Sequence, residues 1–245
     1  MQLETLEQFK NRVYSFEYHS LYLDSSGKFC TNSNLCHKIN ADGTMKPYLG
    51  NTVVFVLQKN GSESGNAESE AFLAHLAWMQ DMLYSRCQDM LSDRLREDTF
   101  HMTLHDLVNG TVDGVNRHAM DVAGQEIKVL LERIRKENWI LRMRTTCVFN
   151  MVNTSVVLGL EPVSEEDCSL LMRLYEQMEK IVPLGYPITP HITLAYYKPG
   201  IYNADNINSL EDTFRMISKE TCTVALAAED LVYQRFCDMN QYYEE

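Results

Sequence analysis

The sequence predicts an α+β fold built from two similar lobes, and three observations predict it. Short β-branched runs such as "TVVFVL" at 52–57 alternate with amphipathic helical stretches. The succession helix, His-x-Thr strand, helix, strand occurs twice. The two histidine strands, "FHMTLHDL" at 100–107 and "PHITLAYY" at 190–197, set His101 and His191 ninety residues apart, a spacing that suits a pseudo-twofold duplication.

Taken in order, residues 1–50 are polar and turn-rich, punctuated by Gly27, Gly43, Pro47 and Gly50. Thr52–Leu57 reads as a buried strand. The loop "NGSESGNAES" from Asn60 ends in a helix cap, after which Phe72, Leu76, Met79 and Leu83 recur at helical spacing over 69–87. The first histidine strand follows, then a helix over 121–137 with Ile127, Leu130, Leu131 and Ile134 apolar. "TTCVFNMV" and "TSVVLGL" flank Asn153 as a hairpin. Ser164 and Asp167 make a start like a capping box for a helix whose stripe is Leu171, Leu174, Met178 and Ile181. Pro183, Pro187 and Pro190 stop that helix and lead into the second histidine strand. A helix over 208–218 and strands over 221–227 and 231–236 close the chain. The whole reads as a single bilobal domain, 1–245, with an N-terminal extension over 1–45 and both lobes within 46–236.

Of the 245 residues, 45% are hydrophobic and 23% charged, the balance of a globular protein with a real core. With 22 lysines and arginines against 34 acids, the net charge of −12 argues against a long nucleic acid as partner but allows a small anionic ligand. Seven cysteines without a CxxC pair read as reduced thiols, and Cys30, Cys36 and His37 match no zinc signature, so no metal and no cofactor are expected. No basic start followed by an apolar run opens the chain, and no stretch is long enough to span a membrane, so a cytoplasmic location is expected.

Alternate side chains of a strand share a face. His101 and Thr103 therefore point one way and Met102 and Leu104 the other, and His191 and Thr193 lie opposite Ile192 and Leu194 in the same manner. Each strand offers an imidazole and a hydroxyl about 7 Å apart. Two such strands facing one cleft suit phosphoryl chemistry. One imidazole serves as base for the attacking oxygen and the other as acid for the leaving one, while the hydroxyls donate to the non-bridging oxygens. Carboxylates would repel that anion, and alternation puts none on the inward face.

Two His-x-Thr-x motifs on separate strands resemble the 2H phosphoesterase superfamily, which includes LigT-like proteins and cyclic phosphodiesterases. "DGTMKPYLGNTVVFVL" followed by "FHMTLHDL" looks most like a bacterial branch in which a Gly-Asn-Thr-Val strand precedes a His-Met-Thr motif. The resemblance implies a bilobal fold with two antiparallel sheets facing a central cleft and helices on the outside. It implies that His101 and His191 are the acid–base pair and that Thr103 and Thr193 bind phosphate. The activity it implies is metal-independent hydrolysis of a small nucleotide or RNA-end phosphodiester, a 2′,3′-cyclic phosphate or a 2′-5′ linkage. The alternative is a non-catalytic protein of the same fold that binds a nucleotide or RNA end. The extension over 1–45 departs from the usual pattern, and either covers the cleft or only packs.

Alternation puts His105 on the face of His101, where it lines the cleft or joins a polar network. It likewise puts Tyr197 on the face of His191, where its ring could stack a base. Asn51 and Thr52, at the mouth of the first strand, either contact the substrate or satisfy a turn.

Overall fold

Caps and turns fix where the periodic segments begin and end. In the computed structural model, which describes residues 4–15, 21–57 and 67–244, Phe72, Leu76, Met79 and Leu83 form the buried stripe of helix α2 (Ala67–Cys87). The loop read from Asn60 lies outside the described residues as far as residue 66. Helix α3 (Arg117–Arg135) starts earlier than its apolar stripe suggests, because the Asn116 side chain accepts the Ala119 amide. Ser164 accepts the Asp167 amide and donates to its carboxylate at 2.8 Å, opening α4 (Glu165–Glu179). Asn203 opens α5 (Ala204–Ile217) with a reciprocal capping box to Asn206. Each such cap stabilises its helix by about 1 kcal/mol. Between β4 (Ile140–Met151) and β5 (Ser155–Pro162), Val152 and Asn153 both take positive φ, 44° and 59°, and the Thr154 amide donates to Met151 O at 2.9 Å. That handedness matches the twist of the flanking strands and makes the hairpin tight.

Eight strands form one antiparallel sheet in the order β10-β9-β2-β3-β6-β5-β4-β8. Besides β4 and β5 these are β2 (Tyr48–Val56), β3 (His101–Thr111), β6 (His191–Tyr196), β8 (Thr223–Ala227), β9 (Leu231–Asp238) and β10 (Gln241–Glu244). The fold is α+β. The two expected sheets are the two halves of this one sheet, joined between β3 and β6 by the single pair Met102↔Ile192. Gly50, read as a turn, lies within β2, and β10 lies beyond the last strand the sequence suggested.

The halves match as β2-α2-β3 against β5-α4-β6. Helices cross the seam in both directions: α2 packs on α5 and on β6 and β8, while α4 reaches β3. Met102, Leu104, Leu107, Ile192, Leu194 and Tyr197 face these helices and are buried. The first half takes its third strand, β9, from the far end of the chain.

The N-terminal segment packs against this frame. Helix α1 (Leu6–Ser15) lies on α4 and buries Phe9. Strand β1 (Phe29–Cys30) pairs with β7 (Ile201–Tyr202), and Leu35 and Ile39 are buried. Among the described residues no helix is long and apolar enough to cross a membrane, and no three His, Cys, Asp or Glu side chains group as metal ligands.

Candidate active site

The seam places the two motifs side by side. His101 and Thr103 flank Met102, and His191 and Thr193 flank its partner Ile192. All four outward-facing side chains are half-buried and line one cavity of about 640 Å³. The imidazoles are held in the same way. Nδ1 of His101 lies 2.7 Å from Thr99 O, and Nδ1 of His191 lies 2.7 Å from Thr189 O. A carbonyl only accepts, so Nδ1 carries the proton in both rings and Nε2 is left as the basic atom. Neither the Thr103 nor the Thr193 hydroxyl bonds another described residue.

Burial pushes His101 down to about 4, against the opposing pull of the Thr99 carbonyl and the Asp106 carboxylate, with His191 adding to the depression. Burial also lowers His191, opposed by the Thr189 carbonyl and Asp106. Both rings are therefore neutral at pH 7.

Strict alternation fails three residues into each motif. In β3 the register against β2 steps from Thr103 to His105, and in β6 the register against β5 steps from Thr193 to Ala195. Each step is a β-bulge, at Leu104 and at Leu194, and it turns the following residues over. His105 is consequently buried on the helix side, with Nε2 donating to Glu179 Oε1 at 3.0 Å and the ring 5.1 Å from that of Tyr175. Tyr197 is fully buried against Phe29, at a centroid distance of 4.9 Å. The face expected for both is thus corrected: Tyr197 leaves the cavity, and His105 joins a polar network while still bordering the cavity from the helix side. Asp106 and Tyr196 take their places, half-buried in the cavity wall. The expectation of no inward carboxylate is corrected with them.

The bulged backbone is tied down from outside the ladder. Gln80 of α2 donates to Leu194 O at 3.0 Å, and Thr52 donates to His105 O at 3.1 Å. Thr52 borders the cavity, but its hydroxyl is committed to that carbonyl. Asn51 is wholly buried, donating to Met120 O and Tyr233 Oη and accepting the Val108 amide, so it braces β2 against β3 and α3.

Other walls went unread in the sequence. Tyr242 of β10 lies with its ring 4.9 Å from that of His101. Lys38, from the N-terminal segment, brings an ammonium over the rings of Tyr48 at 5.1 Å and Tyr196 at 5.9 Å. The extension therefore packs and also reaches the cavity. The bulges did leave a signal. The large apolar residues run 102, 104, 107 and 192, 194, 197, so their spacing lengthens from two to three at the same point in both motifs, with His105 and Ala195 buried between them. Nothing comparable in the sequence marks Lys38 or Tyr242.

No family model matches the chain, and no curated protein matches it. Among solved structures, a conserved protein of unknown function, ATU0111 from Agrobacterium tumefaciens, is similar at a TM-score of 0.60 and 17% identity, over 94% of this chain and 97% of that one. Escherichia coli LigT in apo form is similar at a TM-score of 0.42 and 10% identity, over 82% and 96%. LigT complexed with 3′-AMP gives 0.44 and 12% over the same shares. The fold, and at these identities the fold alone, is what this chain has in common with the Agrobacterium protein over nearly the full length of both.

Proposed function

We propose that this chain is a phosphodiesterase of the 2H type, cleaving a phosphodiester in a small nucleotide or at an RNA end. The bond is a 2′,3′-cyclic phosphate or a 2′-5′ linkage. The observation that carries this reading is the matched pair of imidazoles, each tautomer fixed through Nδ1 by the carbonyl two residues before it, with two uncommitted hydroxyls in the same cavity.

Hydrolysis at phosphorus removes a proton from the attacking water and delivers one to the departing sugar oxygen. One neutral imidazole takes the first proton at Nε2. The other must enter the step protonated, and a bound phosphate anion raises its basicity. Thr103 and Thr193 donate to the non-bridging oxygens, whose negative charge is the main electrostatic demand of the transition state. Base, acid and oxygen donors are all side chains of the chain, so turnover should survive a chelator.

The test is hydrolysis of nucleoside 2′,3′-cyclic phosphates and 2′-5′ dinucleotides by wild type and by His101→Ala and His191→Ala. Each substitution should lower kcat by about 10²–10⁴-fold, and the wild-type rate should be bell-shaped in pH. Full activity in both variants removes the reading. Tight binding without product in a single turnover would instead make the protein a binder of nucleotides or RNA ends.

A further inference from the structure

The cavity carries one basic group that the proposed chemistry leaves unused. Lys38 is the one lysine or arginine among the described residues lining it. Its stem is held by backbone that bonds on both sides, since the Lys38 amide donates to Leu35 O at 2.9 Å and its carbonyl accepts from the Lys46 amide at 2.8 Å. The next residue, Ile39, is buried, so this stretch of backbone is fixed to the core. Among the described residues no carboxylate pairs with the ammonium, which rests instead on the faces of Tyr48 and Tyr196.

In a chain of net charge −12, a lysine held over aromatic rings at a cavity wall, with no carboxylate partner among the described residues, is placed to attract an anion. A second donor stands beside it. Tyr48, whose ring carries Lys38, donates from Oη to Asn109 Oδ1 at 2.7 Å, which fixes the amide oxygen of this cavity-lining residue and leaves its nitrogen as a donor without a bond to another described residue. Tyr196, beneath Lys38, follows His191 on the same strand, so the cation and the imidazole pair belong to one continuous wall. Tyr196, Phe236 and Tyr242 add aromatic surface to that wall.

We infer that Lys38, with Asn109, binds a second phosphate of the substrate, so that the preferred ligand is a nucleotide carrying one phosphate at the imidazole pair and another at a separate position. This rests on the phosphodiesterase reading for the first phosphate only. The N-terminal segment thereby sets specificity, and Lys38 is a binding residue that takes no part in proton transfer.

Two measurements separate this inference from the reading it extends. Binding of a nucleoside 3′,5′-bisphosphate and of the corresponding 3′-monophosphate is measured by calorimetry on wild type, Lys38→Met and Lys38→Arg. The bisphosphate should bind wild type at least about tenfold more tightly, as expected for a charge-assisted contact. Lys38→Met should abolish that advantage while leaving the monophosphate within about twofold, and Lys38→Arg should keep most of it. Equal affinity for the two ligands in wild type, or an equal loss of both in Lys38→Met, overturns the inference. In kinetics, Lys38→Met should raise KM for a 5′-phosphorylated 2′,3′-cyclic nucleotide and spare kcat and the unphosphorylated substrate. If the binding difference holds and no substrate turns over, the catalytic reading falls and the anion site stands.

Discussion

Among the residues lining the cavity, Asp106 bears on both imidazoles of the candidate site. Its carboxylate stands in the cavity and raises the proton affinity of both imidazoles, against a burial effect that takes His101 to about 4. Asp106→Asn removes that support, so both rings become still weaker bases. For a reaction needing one ring neutral and one protonated, the two limbs of the kcat/KM profile report those two groups. Both limbs should therefore move to lower pH, and activity at pH 7–8 should fall. A profile that stays in place, or moves to higher pH, would show that Asp106 does not act on the pair. Composition and spacing could reveal the His-x-Thr residues because chemistry restricts their type. The influence of Asp106 could not be read that way, since it depends on which face of β3 the residue occupies.

At the scale of the element, the two bulges decide which face that is. Period-two alternation is a statement about an unbroken ladder. It holds through Thr103 and Thr193 and ends where Leu104 and Leu194 are skipped in the pairing. Up to those points the strands were legible, and beyond them His105 and Tyr197 were assigned to the wrong side. The correction has a measurable consequence. The Tyr197 hydroxyl is buried and bonds nothing among the described residues, so Tyr197→Phe removes an unsatisfied polar atom. Stability should be unchanged or higher by about 1 kcal/mol, and catalysis should be untouched. A fall in kcat/KM without loss of folded protein would put that ring back at the substrate. The helices were legible from their stripes and caps, whereas their true starts at Asn116 and Asn203 lie before the first apolar residue and so escaped a reading by periodicity.

On the scale of the molecule, the N-terminal segment is fastened to the second half of the sheet through the turn between β4 and β5. Asn153 Nδ2 donates to Tyr22 O and Cys30 O, both at 2.8 Å, and Asn153 Oδ1 accepts the Tyr22 amide at 3.3 Å. Asn153→Gly keeps a residue at ease with positive φ and removes these ties. It should destabilise the protein by about 2–3 kcal/mol and expose 21–40 to limited proteolysis, with new cleavages read by mass spectrometry. An unchanged digestion pattern would mean that the pairing of β1 with β7 and the buried Leu35 and Ile39 hold the segment without the Asn153 side chain. Topology of this range was beyond the sequence, which showed two alike halves but not that the first is completed by β9. That return of the chain fixes an order of events during synthesis. Strands β4, β5, β6 and β8 span 140–227 without interruption by the other half, so they can assemble while the ribosome is still translating. Strands β2 and β3 emerge first yet must wait for residues 231–238, the distant contact being the slow one to close. The half of the protein made earliest is the half finished last, and a nascent chain stalled before residue 231 would carry its first histidine on an open-edged fragment.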